Sequence, residues 1–360
     1  MIPARERIGR LWLLAAIIVL LAGCILTYTT RHEEDNPYKD LQVEAATIMR
    51  DAEAYMKDEI LERGIAIEAE DLNQTGLLGP EFTQLTTTPG NIDAKRTSLS
   101  PDFAALLVRY YVQAGLEEGD VIAIGSSGSF PGLLVASLAA GQAMGLEMRV
   151  IASLGASMHG ATRPEYNIFD FINAMDEGGF ADFDLVGVSA GGPNDQGGGL
   201  MDGILWFDTA QLSLDLCAET GAHLIYHDSL EDSIQERLEL YGDDVDLFVS
   251  IGGASPNCGT SSYTLNFPNG LVTDPPTIPT TPERGLNYEY AARGVPVVNL
   301  LNVRGLANDN GMTYDPVPFD EIGESGVYKE TEYNLWIVVV TLAAAFAILI
   351  VGWKRGREAR

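Results

Sequence analysis

Two charge-free apolar runs, one near each end of the 360-residue chain, constrain its fold more than any other feature. Leu11 to Tyr28 and Leu335 to Trp353 each have the ~17–25 residues a helix needs to cross the hydrocarbon of a bilayer. Basic residues lie on their outer flanks: Arg5, Arg7 and Arg10 at one end, Lys354, Arg355, Arg357 and Arg360 at the other. The inner flanks are acidic, with Glu33, Glu34 and Asp35 after the first run and Glu330 and Glu332 before the second. Lys and Arg near a span are retained on the cytoplasmic side. The expected order is therefore a cytoplasmic tail (1–10), a membrane helix (11–30), an extracytoplasmic domain (31–333), a second membrane helix (334–353) and a cytoplasmic tail (354–360). Leu21-Ala22-Gly23-Cys24 also matches a lipobox, which would leave Cys24 as a lipidated N-terminus. The apolar run continues through Ile25 and Leu26, as an uncut anchor would, and the topology is the same either way.

Charge limits what such a domain can bind. Removing the seven basic and two acidic residues of the tails from totals of 22 and 51 leaves 15 and 49 outside, a net charge of −34. That surface repels nucleic acid and anionic polymers at low salt, and stays hydrated in strong salt where the repulsion is screened, as in a halophilic proteome. Cys217 and Cys258 alone lie in the domain, which allows at most one internal disulfide and excludes a disulfide scaffold. Stability must come from a core, and about 300 residues is enough for one.

Apolar residues at Leu41, Ala45, Ile48, Ala52, Tyr55 and Ile60 predict a long helix over Tyr38 to Arg63, ended by Gly64. Residues 65–97 lack periodicity and read as a connecting or substrate-facing loop. Ser100-Pro101 then opens a helix over Asp102 to Ala114, with serine as the cap. From Asp120 onward short apolar runs alternate with helical stretches. The runs are 121–124, 148–152, 185–188, 247–251 and 295–299; the helices are Pro131 to Met144, Pro164 to Met175, Thr209 to Glu219 and Leu230 to Tyr241. Apolar strands alternating with helices predict an α/β domain with a Rossmann-like, mostly parallel sheet covered on both faces. Tyr263 to Thr281, with four prolines, reads as a surface excursion.

In such a sheet ligands bind beyond the carboxyl ends of the strands. The turns there are Gly125-Ser126-Ser127-Gly128-Ser129-Phe130-Pro131-Gly132, Ser153-Leu154-Gly155-Ala156-Ser157-Met158-His159-Gly160, Ser189-Ala190-Gly191-Gly192-Pro193-Asn194-Asp195 and Gly252-Gly253-Ala254-Ser255-Pro256-Asn257-Cys258-Gly259. Their hydroxyls and backbone N–H groups suit an anionic ligand, although any one of them alone reads as an ordinary βα turn. Gly125, Ser126, Gly128, Ser157, Asn194, Asp195, Ser255 and Asn257 are the candidate contacts from these turns. Lys95-Arg96-Thr97 is a second candidate, able to hold a carboxylate or phosphate or else to pair with surrounding acids.

The turns lack Gly-x-Gly-x-x-Gly and a Walker lysine, so neither a dinucleotide nor ATP is expected, nor any other cofactor. Ser127 or Ser129, where a strand enters a helix, would serve as a nucleophile with His159 as base, though the Gly-x-Ser-x-Gly elbow is missing. Cys258 is a further candidate nucleophile, with a buried structural thiol as the alternative. His223 and His227 have no Cys or carboxylate at ligand spacing, so no metal is expected.

Thr86-Thr87-Thr88-Pro89-Gly90-Asn91, Ala94-Lys95-Arg96-Thr97, Gly125 to Pro131, Gly155-Ala156-Ser157-Met158 and Ser250-Ile251-Gly252-Gly253-Ala254-Ser255, in that order, resemble the bacterial family named poly-γ-glutamate system protein. The resemblance covers most of residues 40–310. It implies a role in making, exporting or anchoring poly-γ-glutamate outside the cell, beside the membrane subunits of its synthase and exporter. It implies no established catalytic mechanism, and the chain lacks the nucleotide loop of the pathway's amide ligase. The sequence thus leaves three readings: an accessory protein that binds the anionic polymer, a Ser or Cys hydrolase or acyl transferase acting on it or on an envelope substrate, and a solute-binding domain unrelated to any polymer.

Overall fold

The computed structural model describes residues 8–200, 202, 208–274 and 277–358. The chain divides into two units, 1–37 with 329–360, and 38–328.

The first unit begins with helix α1 (Arg10–Thr29) and strand β1 (His32–Asp35). In the second, α2 (Lys39–Glu62) occupies the predicted span. The segment read as a loop holds β2 (Thr86–Thr88) and α3 (Ile92–Thr97), whose Asn91 cap accepts from Ala94 N–H. These elements are too short for periodicity to register. Helix α4 (Asp102–Ala114) has the expected bounds, but its cap position is Pro101, without a side-chain cap. Then come β3 (Val121–Ser127), α5 (Pro131–Met144), β4 (Glu147–Ser153) and β5 (Ala156–Ser157). A small hairpin, β6 (Thr162–Arg163) and β7 (Tyr166–Asn167), replaces the start of the helix expected from Pro164. That helix, α6 (Ile168–Glu177), begins instead at an Asn167–Asp170 capping box.

Strand β8 (Asp184–Ser189), α7 (Thr209–Glu219), β9 (Leu224–Ile225), α8 (Leu230–Tyr241) and β10 (Leu247–Ile251) follow. Next are α9 (Ser255–Cys258), β11 (Gly270–Val272), α10 (Leu286–Ala292), β12 (Val297–Leu300) and α11 (Val303–Asp309). The chain returns to the first unit through β13 (Lys329–Glu332) and α12 (Leu335–Glu358).

Seven strands form the main sheet in the order β11-β12-β10-β3-β4-β8-β9. All pairs are parallel except β11 with β12. The antiparallel edge strand comes from the proline-rich segment, where three residues carry too little pattern to be read. Alternation along the strands separates two cores, as period-2 geometry requires. Ile122, Ile124, Val150 and Val249 pack with α2, α4, α5 and α6, while Ala123, Ile151 and Phe248 pack with α8 and α10. The strand order reverses between β3 and β10, opening a crevice at their carboxyl ends.

In the first unit α1 and α12 are both long and apolar enough to cross a membrane. They pack against each other, and β1 pairs antiparallel with β13. Gly23 lies against Thr341, and Gly352 against Trp12, so closely that a Cβ on either glycine would collide with the partner. Small residues at such contacts let helix backbones approach in lipid. Helix packing is therefore sufficient reason for a glycine beside Cys24.

Candidate functional site

A cleft of about 620 Å³ lies over the carboxyl ends of β8, β4, β3, β10 and β12. The four anticipated turns all reach it, through Ser127 and Ser129, Gly155 and Ser157, Gly191 and Asp195, and Gly253 and Ser255. The segment read as connecting or substrate-facing supplies a further wall, Thr87 to Lys95, together with Tyr314, and the turn after β12, Leu301 to Arg304, supplies one that was not anticipated.

Lys95 is the unusual group here. Its side chain is 2% exposed, and among the described residues no carboxylate pairs with it. Its Nζ donates to the Ser129 carbonyl, lies 2.6 Å from Ser157 Oγ and sits 3.8 Å from the centre of the Phe130 ring. Loss of water around an ammonium favours the neutral amine, and burial lowers this lysine to about 7. Ser157 is held in β5 against Thr88 of β2, and its N–H donates to Ser129 Oγ at 3.1 Å.

The neighbouring Arg96 points elsewhere. It forms a two-pronged pair with Asp315 at 2.7 and 2.6 Å and also reaches Asp93 at 2.8 Å. Thr97 donates to the Asp93 carbonyl and accepts from Asp315 N–H. Of the two outcomes open for Arg96, the fold takes the ion pair. The exposed cation at the cleft is Arg304, stacked on Tyr314 at 4.4 Å and without a carboxylate partner among the described residues. No sequence signal singled it out, because its turn lacks the Gly/Ser pattern of the other four.

Asp195 lines the cleft floor but is not free for a ligand. Its oxygens accept from Ser189 (2.7 Å), Ser233 (2.8 Å) and Arg237 (2.9 Å), and both Asp195 and Arg237 are buried. Arg237 also donates to Ser189 Oγ at 2.8 Å, and Ser189 meets Ser153 at 2.8 Å. The turn that delivers Asp195 is left-handed at Gly191 (φ 69°), Gly192 (71°), Asn194 (52°) and Asp195 (68°). Glycine permits the first two at low cost. Asn194 itself is exposed and lies outside the cleft lining.

Several other candidates are engaged by contacts within the fold. Asn257 donates to the Gly125 carbonyl at 2.7 Å, filling the space a side chain at Gly125 would need. Gly128 passes close to the Leu154 carbonyl, and buried Ser126 donates to the Ser127 carbonyl. Ser127 Oγ accepts from Ser129 N–H at 3.4 Å, and Gly252 lacks the side chain that would collide with it.

His159 has a left-handed backbone (φ 62°) and, among the described residues, no side-chain hydrogen bond to a serine. Cys258 is 5% exposed, and burial pushes its thiol up to about 12, against the thiolate that a nucleophile needs. Cys217 is likewise free and buried. Away from the cleft, the fold supplies the carboxylate that spacing did not show: Glu236 meets His223 at 2.8 Å and His227 at 2.7 Å.

Comparison with protein-family models, with curated proteins and with solved structures gives no match. The chemistry of the cleft therefore carries the functional argument.

Proposed function

We propose that this chain is an accessory membrane protein of poly-γ-glutamate synthesis and export, whose cleft holds carboxylate-bearing segments of the polymer outside the cell. In this reading the sheet is Rossmann-like, α1 and α12 cross the membrane with both termini in the cytoplasm, and the spans contact the synthase and export subunits. One observation carries the reading. The five segments on which the family resemblance rests all contribute to a single cleft, and its exposed guanidinium, Arg304, has no acidic partner among the described residues. In a domain with 49 acidic residues, an arginine left unpaired at a cleft is what a carboxylate ligand requires. Without ATP outside the cell, such a protein would handle a finished or emerging polymer and would not power its synthesis.

The test is calorimetric titration of the detergent-solubilised full chain with glutamyl oligomers. A charge-assisted hydrogen bond is worth about 1.5–3 kcal/mol, so Arg304→Ala should weaken binding by roughly 10- to 150-fold. Absent binding, or unchanged affinity in Arg304→Ala, rules the reading out. Normal polymer export in cells lacking the chain rules out the pathway assignment.

A further inference from the structure

We propose that the cleft contains a serine–lysine acyl-transfer pair, with Ser157 as nucleophile and Lys95 as its general base, acting on an amide or ester carbonyl of a carboxylate-bearing chain. The inference rests on the cleft assignment above but not on which polymer enters it.

The argument starts from contact. Ser157 Oγ and Lys95 Nζ are 2.6 Å apart, within proton-transfer distance, and both residues line the cleft. Among the described residues this is the one contact in the cleft between a hydroxyl and an amine or imidazole that can lose its charge. Both partners are fixed. Ser157 is held by strand pairing with Thr88 and by its N–H to Ser129 Oγ, while its carbonyl accepts from Gly160 N–H at 3.0 Å. Lys95 is held by the Ser129 carbonyl and the Phe130 ring.

A lysine can accept a proton only when neutral. Burial without a carboxylate partner is the environment that makes it so, and a folded value of about 7 leaves much of it neutral at physiological pH. The rival nucleophiles lack these features: Ser129 Oγ already accepts from Ser157 N–H, Ser127 Oγ accepts from Ser129 N–H with no amine or imidazole in contact among the described residues, and Cys258 is buried as a thiol.

The step balances without an added reagent. Ser157 Oγ forms a bond to the carbonyl carbon as its proton passes to Lys95 Nζ. Collapse of the tetrahedral adduct breaks the C–N or C–O bond, and the leaving nitrogen or oxygen takes both the electron pair and the proton held by Lys95. Water, or the amine of a second chain, then attacks the acyl-serine, giving its proton to Lys95. Ser157 takes that proton back as it leaves. Water gives hydrolysis; the amine gives transfer.

The test treats the full chain in detergent micelles with a fluorophosphonate, followed by mass-spectrometric location of the adduct. Wild type should be labelled at Ser157, with a rate that rises through a midpoint near pH 7. Ser157→Ala should abolish labelling, Lys95→Met should slow it roughly 100-fold or more, and Cys258→Ala should leave it intact. The wild-type pH profile needs no variant, so a misfolded mutant cannot hide the result. No labelling of folded wild type, an adduct on another residue, or a rate independent of pH between 5 and 9 overturns the proposal. Labelling that survives while glutamyl oligomers fail to bind removes only the ligand reading above; binding without labelling removes only the acyl-transfer pair.

Discussion

Replacing Lys95 with methionine should make the protein more stable, by an amount set by pH. The two side chains have similar length, and methionine removes the buried amine. The folded value of about 7 lies below the ordinary 10.5. Above 10.5 the amine is neutral in both states and burial carries no charge penalty. As pH falls from 10.5, the unfolded chain takes up a proton that the native state refuses, so the native state loses about 1.4 kcal/mol per pH unit. Below the folded value both states are protonated, and the penalty levels off at about 5 kcal/mol, from a drop of about 3.5 at that rate.

Losing the bonds to Ser129 and Ser157 costs about 1 kcal/mol at every pH and does not alter this slope. Urea unfolding of both proteins in the same micelles, from pH 6 to 10, measures the difference directly. The advantage of Lys95→Met should shrink by about 4 kcal/mol between pH 7 and 10. Parallel stability curves would refute the argument, because they would mean that the native state accommodates the charged amine.

Three further outcomes follow from buried or crowded groups. Asp195→Ala leaves the Arg237 guanidinium buried without its counter-charge and should cost about 3–5 kcal/mol in urea unfolding; a loss under 1 kcal/mol would show that serine hydroxyls alone suffice. Burial, with Asp71 nearby, raises Glu53 well above its ordinary 4.5, so the native state keeps a proton that the unfolded chain releases, and stability falls as pH rises from 4.5 toward the folded value. Glu53→Gln should therefore stabilise the protein at neutral pH, with the gain vanishing below 4.5; a gain that does not change with pH contradicts this. Gly23→Leu should force α1 and α12 apart at Thr341 at a cost of about 1–3 kcal/mol, with Thr341→Gly restoring the pairing; spin-label distances between the two helices would show no change if the contact is unimportant.

Regular elements were legible where one residue type repeats at a fixed interval. The apolar runs now in α1 and α12, the helix α2 and the strands β3, β4, β8 and β10 all fall close to where periodicity placed them. The three-residue strands β2 and β11 and the six-residue helix α3 were missed because each is too short for its period to repeat. The cleft was half legible. Gly/Ser turns marked four of its walls, but the turn that carries Arg304 looks like any other.

What the sequence determined by itself is the layout: two apolar helices near the ends, an acidic α/β domain between them, and turns gathered at the carboxyl edge of a parallel sheet. Local spacing is enough for this, because periodicity dictates which face of an element is buried and strand direction dictates where its turn emerges. What only the tertiary structure decided is which side chains meet. Lys95 and Arg96 are adjacent in the chain. One is buried against Ser157, 62 residues away, and lowered toward neutrality; the other is pinned to Asp315, 219 residues away, and stays charged. Desolvation and ion pairing depend on what packs around a group, and no pattern along the chain records that.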